Sequence, residues 1–244
     1  MNHKTYNFVF CLAGKGERFK KKGFTIPKFI LPLKDNKSIL ENSLKELNCS
    51  KLVNFFLICN DKDKKWHSDL VKIFNKFEYK FQIYFIPDSN GQAHSANIIS
   101  KKIKNNYPLF FFNGDTIVKD RNLVEYSKKM LESNSLGLID TFFSNEKHFS
   151  YIKERNNYVV EIKEKIVVSN MASSGLYLFK DSGTYVEYYK KLSQYSRKEK
   201  FISEVYEKML TEGKRILNSF SKDQKKTIIL GTPEQYNSYL NDQT

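Results

Sequence analysis

Two glycines and two basic residues follow the first apolar run of the chain. Tyr6 to Leu12 gives way to Ala13-Gly14-Lys15-Gly16-Glu17-Arg18-Phe19, and Pro27-Lys28 comes shortly after. Glycine lets the backbone approach a ligand closely and turn its N–H groups into one concavity. Such a nest holds phosphate, and Arg18 and Lys28 can add positive charge to it. The spacing is not the dinucleotide fingerprint, because Phe19 stands near the place of the third glycine. It is not a Walker A loop either, since no Gly-Lys-Ser/Thr follows. An ordinary glycine turn among solvated lysines would use the same letters, so the loop alone leaves both readings open.

Two further turns carry polar groups after apolar runs. Asn113-Gly114-Asp115 follows Leu109-Phe110-Phe111-Phe112, so a buried strand would end in a carboxylate. Asp115 in that place can bind Mg²⁺, which takes one or two protein carboxylates and completes its shell with phosphate and water. A plain β-turn aspartate is the alternative. Pro87-Asp88-Ser89-Asn90-Gly91-Gln92-Ala93 is the second turn. There Gly91 lets the backbone come close, and Gln92 can offer a donor and an acceptor to a base edge. Glu164-Lys165 ends a run of alternating charge, which by itself reads as a solvated strand end. The four histidines show no metal spacing, and no Gly-x-Ser-x-Gly is present.

The elements that would position these groups alternate. Short apolar runs at Asn7–Leu12, Val53–Cys59, Phe81–Ile86 and Leu109–Phe112 lack clean alternation, as buried parallel strands do. Helical patterns lie between them at Ile39–Leu47, capped by Ser38 with Glu41 as its capping-box partner, at Asp63–Phe77 and at Gln92–Ile103. Such alternation predicts a parallel sheet covered on both faces, with ligands at the carboxyl ends of its strands. The three polar turns would converge there.

From about residue 136 the pattern changes to strands at Leu136–Phe143, Ser150–Lys153, Tyr158–Lys163 and Ser174–Phe179, with a turn at Arg155-Asn156-Asn157. Helices are expected at Gly183–Tyr195 and Ile202–Glu212. Short strands follow at Arg215–Phe220 and Thr227–Leu230, and Thr232 caps a last helix, Pro233–Leu240. The expectation is one α/β domain: a Rossmann-like three-layer α/β/α sandwich with a mixed, mostly parallel sheet. Residues 136–244 would form a β-rich subregion laid on the first part, residues 1–135, and sharing its sheet.

Composition narrows the partners. The 244 residues are 40% hydrophobic and carry a net charge of +14. The lysines are scattered, with only Lys20-Lys21-Lys22 compact, so an anionic small substrate is expected rather than a nucleic acid. Cys11, Cys49 and Cys59 show neither metal spacing nor a disulfide framework, which suits a reducing cytoplasm. No leader and no membrane-length apolar run is seen, so no membrane partner is expected.

Taken together, these motifs resemble the nucleoside-triphosphate transferase family that makes nucleotide sugars. Its opening stands here as Leu12 to Phe19 with Pro27-Lys28, its aspartate turn as Asn113-Gly114-Asp115, its Glu-Lys pair as Glu164-Lys165 before Ser169 to Phe179, and its late Gly-Thr-Pro-Glu as Gly231 to Glu234. The order covers nearly the whole chain. The resemblance implies the GT-A-like nucleotidyltransferase fold, with Leu12, Ala13, Gly14, Lys15 and Gly16 cradling the triphosphate together with Arg18. It gives Lys28 the α-phosphate, and Asp88, Gly91, Gln92 and Gly114 the rest of the nucleotide. Glu164, Lys165 and Ser174 would bind the acceptor, and Asp115 would hold Mg²⁺. In-line attack of an acceptor phosphate on the α-phosphorus would expel pyrophosphate.

The chain departs from the family where many relatives place a second metal-binding aspartate, because Ile229 stands there. Either one carboxylate suffices or another stands in, with Glu204 and Asp223 as candidates. Its size, its basic, Asn- and Phe-rich composition and the lack of an appended oligomerisation domain are similar to those of cytidylyltransferases acting on phosphocholine or phosphoglutamine. That favours CTP, in a monomer or homodimer. A glycosyltransferase of related architecture would usually show Asp-x-Asp, which Asp115-Thr116-Ile117 lacks. A basic nucleic-acid-binding module is the remaining alternative.

Overall fold

The computed structural model describes residues 5–47, 49, 52–192 and 199–242. The first apolar run forms β1 (Asn7–Leu12), whose period of two sends Phe8 and Phe10 to one face and Val9 to the other. A short α1 (Glu17–Lys21) follows the glycine loop. Helix α2 (Ile39–Leu47) starts where Ser38 Oγ accepts the Glu41 N–H at 3.1 Å. The Glu41 side chain does not complete a capping box as expected; its carboxylate accepts from Lys76 Nζ at 3.1 Å.

Next come β2 (Asn54–Asn60), α3 (His67–Lys76), β3 (Lys80–Ile86), α4 (Gln92–Ser100) and β4 (Leu109–Phe112). The helix expected from Asp63 begins later, because the Asn60 side chain accepts from the Lys62 N–H and starts a 3₁₀ turn over Asp61–Trp66. Two elements were not anticipated from the sequence: β5 (Thr116–Val118) and α5 (Leu123–Glu132). Asn122 caps α5 by accepting the Glu125 N–H at 3.0 Å.

The second half holds β6 (Gly137–Phe143), β7 (Ser150–Arg155), β8 (Tyr158–Glu164), β9 (Met171–Phe179), α6 (Ser182–Leu192), α7 (Ile202–Thr211), β10 (Ile216–Ser221), β11 (Thr227–Ile229) and α8 (Pro233–Asn241). The expected end of the sixth helix at Tyr195 lies outside the described residues. Asn156 and Asn157 turn the β7–β8 hairpin with φ of 53° and 65°, the left-handed pair that asparagine tolerates in two-residue hairpins.

The main sheet runs β3-β2-β1-β4-β9-β6-β10-β8-β7. Its first four strands are parallel, β9 enters antiparallel to β4 and β6, and β10 is parallel to β6. The sheet is mixed, and its parallel part is confined largely to the first half. The far strands curl, so that β7 pairs with β9 as well as with β8. Two apolar layers cover the sheet. On one face Phe8, Phe10, Phe55, Phe110 and Phe112 pack with Leu40, Leu44 and Phe74 of α2 and α3. On the other, Val9, Phe111 and Phe179 pack with α4, α6 and α7. The chain therefore has the expected three-layer α/β/α organisation. Among the described residues, no helix is long and apolar enough to cross a membrane.

A buried ion pair ties the halves together. Arg121, just before α5, donates from Nε to Asp140 Oδ1 of β6 at 3.0 Å and from an Nη to Thr227 Oγ1 of β11 at 2.7 Å. Tyr126 and Ser174 hydroxyls donate to the same carboxylate at 2.9 and 2.6 Å. Buried charges survive where such partners complete their hydrogen bonding.

Candidate active site

The carboxyl ends of β1, β3 and β4 open into a cleft of about 670 Å³. Ala13, Gly14, Lys15, Gly16, Arg18, Lys28, Gly91, Gln92 and Asp115 all line it. Leu12 and Gly114 line a smaller cavity of about 260 Å³ that meets the same loop. The parallel strands thus bring the expected loops to one end of the sheet, as open α/β sheets do.

Lys28 reaches the cleft from a one-turn 3₁₀ segment, Lys28–Ile30. Pro27 sets the entry with φ −61°, and the buried Phe29 pins the turn to the core. Asp115 is fixed from two sides. Gly114 adopts φ +68° close against Leu12, where a Cβ would stand 2.5 Å from the Leu12 Cδ2. The Leu230 N–H donates to the Asp115 carbonyl at 2.9 Å, extending the β5–β11 pairing. The outcome is a contact of 2.5 Å between Lys28 Nζ and Asp115 Oδ2. Both side chains remain partly exposed, at 26% and 20%, so a ligand can reach them.

Asp88 sits beside this cleft rather than in its lining. It accepts from Asn60 Nδ2 at 2.8 Å and Lys62 Nζ at 2.9 Å, with Lys15 Nζ at 3.8 Å. The Asn60 hydrogen bond, followed by Lys62, holds its carboxyl down at about 2. Its observed partners are thus protein groups, one of them from the glycine loop.

The residues expected to bind the acceptor divide. Glu164 is nearly buried, and its Oε2 accepts from Ser150 Oγ and from Ser203 Oγ, the latter at 2.6 Å. Lys165 has φ +58°, and its N–H donates to Phe149 O at 3.0 Å. Its Nζ lies 4.0 Å from Glu164 Oε1 and 4.1 Å from the Phe201 ring centre. Ser174 does not belong with them. It is buried and donates to Asp140, so it serves the central ion pair and not a ligand.

Glu204 is likewise corrected. Its carboxylate accepts the Phe201 N–H at 2.9 Å and caps α7, and it does not line the cleft. Ile229 packs toward Phe142, Tyr151 and Ala172. Among the described residues, no group of three or more His, Cys, Asp or Glu could hold a metal ion.

Sequence reasoning missed what supports Gln92. Its Nε2 donates to Asn113 Oδ1, and Asn113 in turn nestles against Gly175 of β9. A glycine in an otherwise apolar strand was the available signal, since it marks close backbone approach or a bulge.

The nucleotidyl transferase family profile matches residues 10–236. The chain belongs to the nucleotidyl transferase family. No curated protein sequence matches it. Among solved structures it is similar to a nucleoside-diphosphate-sugar pyrophosphorylase from Vibrio cholerae RC9, with 22% identity, TM-score 0.85, and coverage of 96% of this chain and 100% of that one. A UDP-glucose pyrophosphorylase complexed with UDP-glucose gives 18% identity and TM-score 0.75, with 97% of each chain covered. At such identity these likenesses establish the fold. The substrates of that family are a nucleoside triphosphate and a sugar phosphate.

Proposed function

We propose that this nucleotidyltransferase moves a nucleoside monophosphate, with CTP the favoured donor, onto the phosphate of a small metabolite and releases pyrophosphate. The acceptor is of the sugar 1-phosphate, phosphocholine or phosphoglutamine type, and the product would feed surface polysaccharide or capsule synthesis. The observation that carries the reading is the Lys28–Asp115 contact in a cleft shared with the glycine loop. One place then offers an anion cradle and an anchored carboxylate, which is what a polyphosphate with its counter-ion needs.

The loop from Ala13 to Gly16 and Arg18 would grip the β- and γ-phosphates. Lys28 would leave Asp115 for the α-phosphate and neutralise charge as the bond to pyrophosphate breaks. Preorganised positive charge of this kind is the main lever in phosphoryl transfer. Glu164, fixed by two serines, would orient the acceptor, and Lys165 would receive its phosphate. The same reading makes residues 1–135 the nucleotide half and 136–244 the acceptor half of a cytoplasmic monomer or homodimer.

Nucleotidyl transferases generally use a divalent metal. The residues here fit one that brings most of its own ligands. Asp115 Oδ2 already faces a cationic group, and the glycine at 231 leaves room beside it, since a Cβ there would stand 3.4 Å away. Mg²⁺ is such an ion, and bound there it would neutralise phosphate charge. The test is pyrophosphate release from each of the four triphosphates with Mg²⁺, screened against sugar phosphates, phosphocholine and phosphoglutamine. Release with one triphosphate and one acceptor, lost in Asp115→Ala, is expected. Full activity in that variant would sink the site assignment.

A further inference from the structure

Gln92 opens α4 at the edge of the cleft, and the protein already uses its amide. Nε2 donates to Asn113 Oδ1, and Asn113 also lines the cleft. A primary amide has two N–H donors and one carbonyl oxygen. With its nitrogen engaged by Asn113, Gln92 has its oxygen left for a ligand.

The relay is seated on both flanks. Gly175 has φ +83° and lies where β9 slips its register against β6. A Cβ on Gly175 would stand 2.5 Å from Asn113 Nδ2 and 2.7 Å from its Cγ, so any side chain would push Asn113 away from Gln92. On the other flank Gly91 has φ +93°, and a Cβ there would stand 2.5 Å from the Lys200 carbonyl oxygen. Ala93 N–H donates to Lys200 O, and Lys200 N–H donates to Asn90 O, each at 3.0 Å.

We infer that Gln92 meets the nucleobase as a hydrogen-bond acceptor and selects a base whose amine stands at C4 of a pyrimidine or C6 of a purine, and that Asn113, seated by Gly175, is the positioning residue that holds the amide in that sense. The inference rests on the triphosphate reading above and deepens it. An amine on the base donates to Gln92 Oε1. The exocyclic oxygen of uracil, thymine or guanine in the same place meets another oxygen, and both lose their partners. Sites built around a hydrogen bond reject analogues that lack it far more strongly than apolar pockets do. The triphosphates selected are those of cytosine and adenine.

Calorimetric binding of CTP, ATP, UTP and GTP with Mg²⁺ tests this on the full chain. The wild type should bind an amino-base triphosphate roughly tenfold or more tightly than the oxo-base ones, about 1.4 kcal/mol. Asn113→Asp should keep that ratio, because a carboxylate still accepts from Nε2. Asn113→Ala, Gly175→Ala and Gln92→Leu should bring it to roughly threefold or less. If Gly175→Ala does not fold, Asn113→Ala and Gln92→Leu carry the test, with melting curves to show that they fold. A ratio unchanged in both would overturn the inference, as would a wild type that prefers an oxo base. Failure of every triphosphate to bind the wild type would remove the triphosphate reading itself. Binding with the opposite preference would remove only the inference about Gln92.

Discussion

The two ends of the site solve the same electrostatic problem differently. At the proposed nucleotide end the charged groups pair with one another: Lys28 with Asp115, and Lys15 and Lys62 with Asp88. At the proposed acceptor end the carboxylate is pinned by neutral hydroxyls, and the lysine lies over an aromatic ring. A ligand at the first end must replace ion pairs, so binding there exchanges one set of charges for another. A ligand at the second meets a Glu164 whose position the protein has already fixed. On the proposed assignment, the nucleotide end would be rewired by its ligand and the acceptor end would remain as it is.

Four experiments can break or sharpen this contrast. The largest effect is expected at the rewired end. Asp115→Ala should lower pyrophosphate release by about 10³-fold and Lys28→Ala by about 10²-fold to 10³-fold, as for other groups aimed at developing charge. Retention of activity in both would erase the distinction.

Arg121→Ala tests the frame common to both ends. Removing one partner of a buried ion pair costs about 3–5 kcal/mol. Denaturant melts should show that loss. Affinity for triphosphate and acceptor should fall together, if at all.

Glu164→Gln should act on one end alone. Hydrogen bonds to a charged group contribute about 1.5–3 kcal/mol. The acceptor KM should therefore rise roughly tenfold or more, while triphosphate Kd stays put. A matching loss in triphosphate affinity would show that the ends are not separable.

The smallest effect concerns Asp88. Its carboxyl titrates at about 2 in the folded protein against 3.8 ordinarily, chiefly through Asn60 and then Lys62. A depressed carboxyl stabilises the fold above its ordinary value, and that contribution is lost as pH falls toward about 2. Acid-unfolding curves of wild type and Asp88→Asn should therefore differ at neutral pH and converge below about pH 2. Curves that remain parallel to the lowest pH would count against the pairing.

The loops of the nucleotide end were legible in the sequence because glycine, proline and strand-end acids have few other uses in such places. The run Leu109–Phe112 is a strand with the expected bounds, since four apolar residues before Asn-Gly can hardly be anything else. Helix α5 was not legible. Only Leu123, Ser127 and Met130 are buried among its ten residues, so its apolar stripe is thin. Ser174 and Glu204 were misread because chemistry-bearing letters also do structural work. A buried hydroxyl on an ion pair and a helix-capping carboxylate look, in sequence, like ligands. Which way Ser174 faces depends on the slip in register between β6 and β9, and no local pattern encodes that. Lys165 gave no hint of its left-handed backbone either.

The isoleucine at 229 has a consequence for traffic through the enzyme. With Asp115 as the carboxylate of the proposed metal site, the protein alone would be a poor chelator, because a small hard cation gives up its water only to a fuller set of oxygens. The ion would then be a passenger of the triphosphate, already neutralised before it docks. Competition for the enzyme in the cell would turn on the magnesium-loaded nucleotide pool and not on free magnesium.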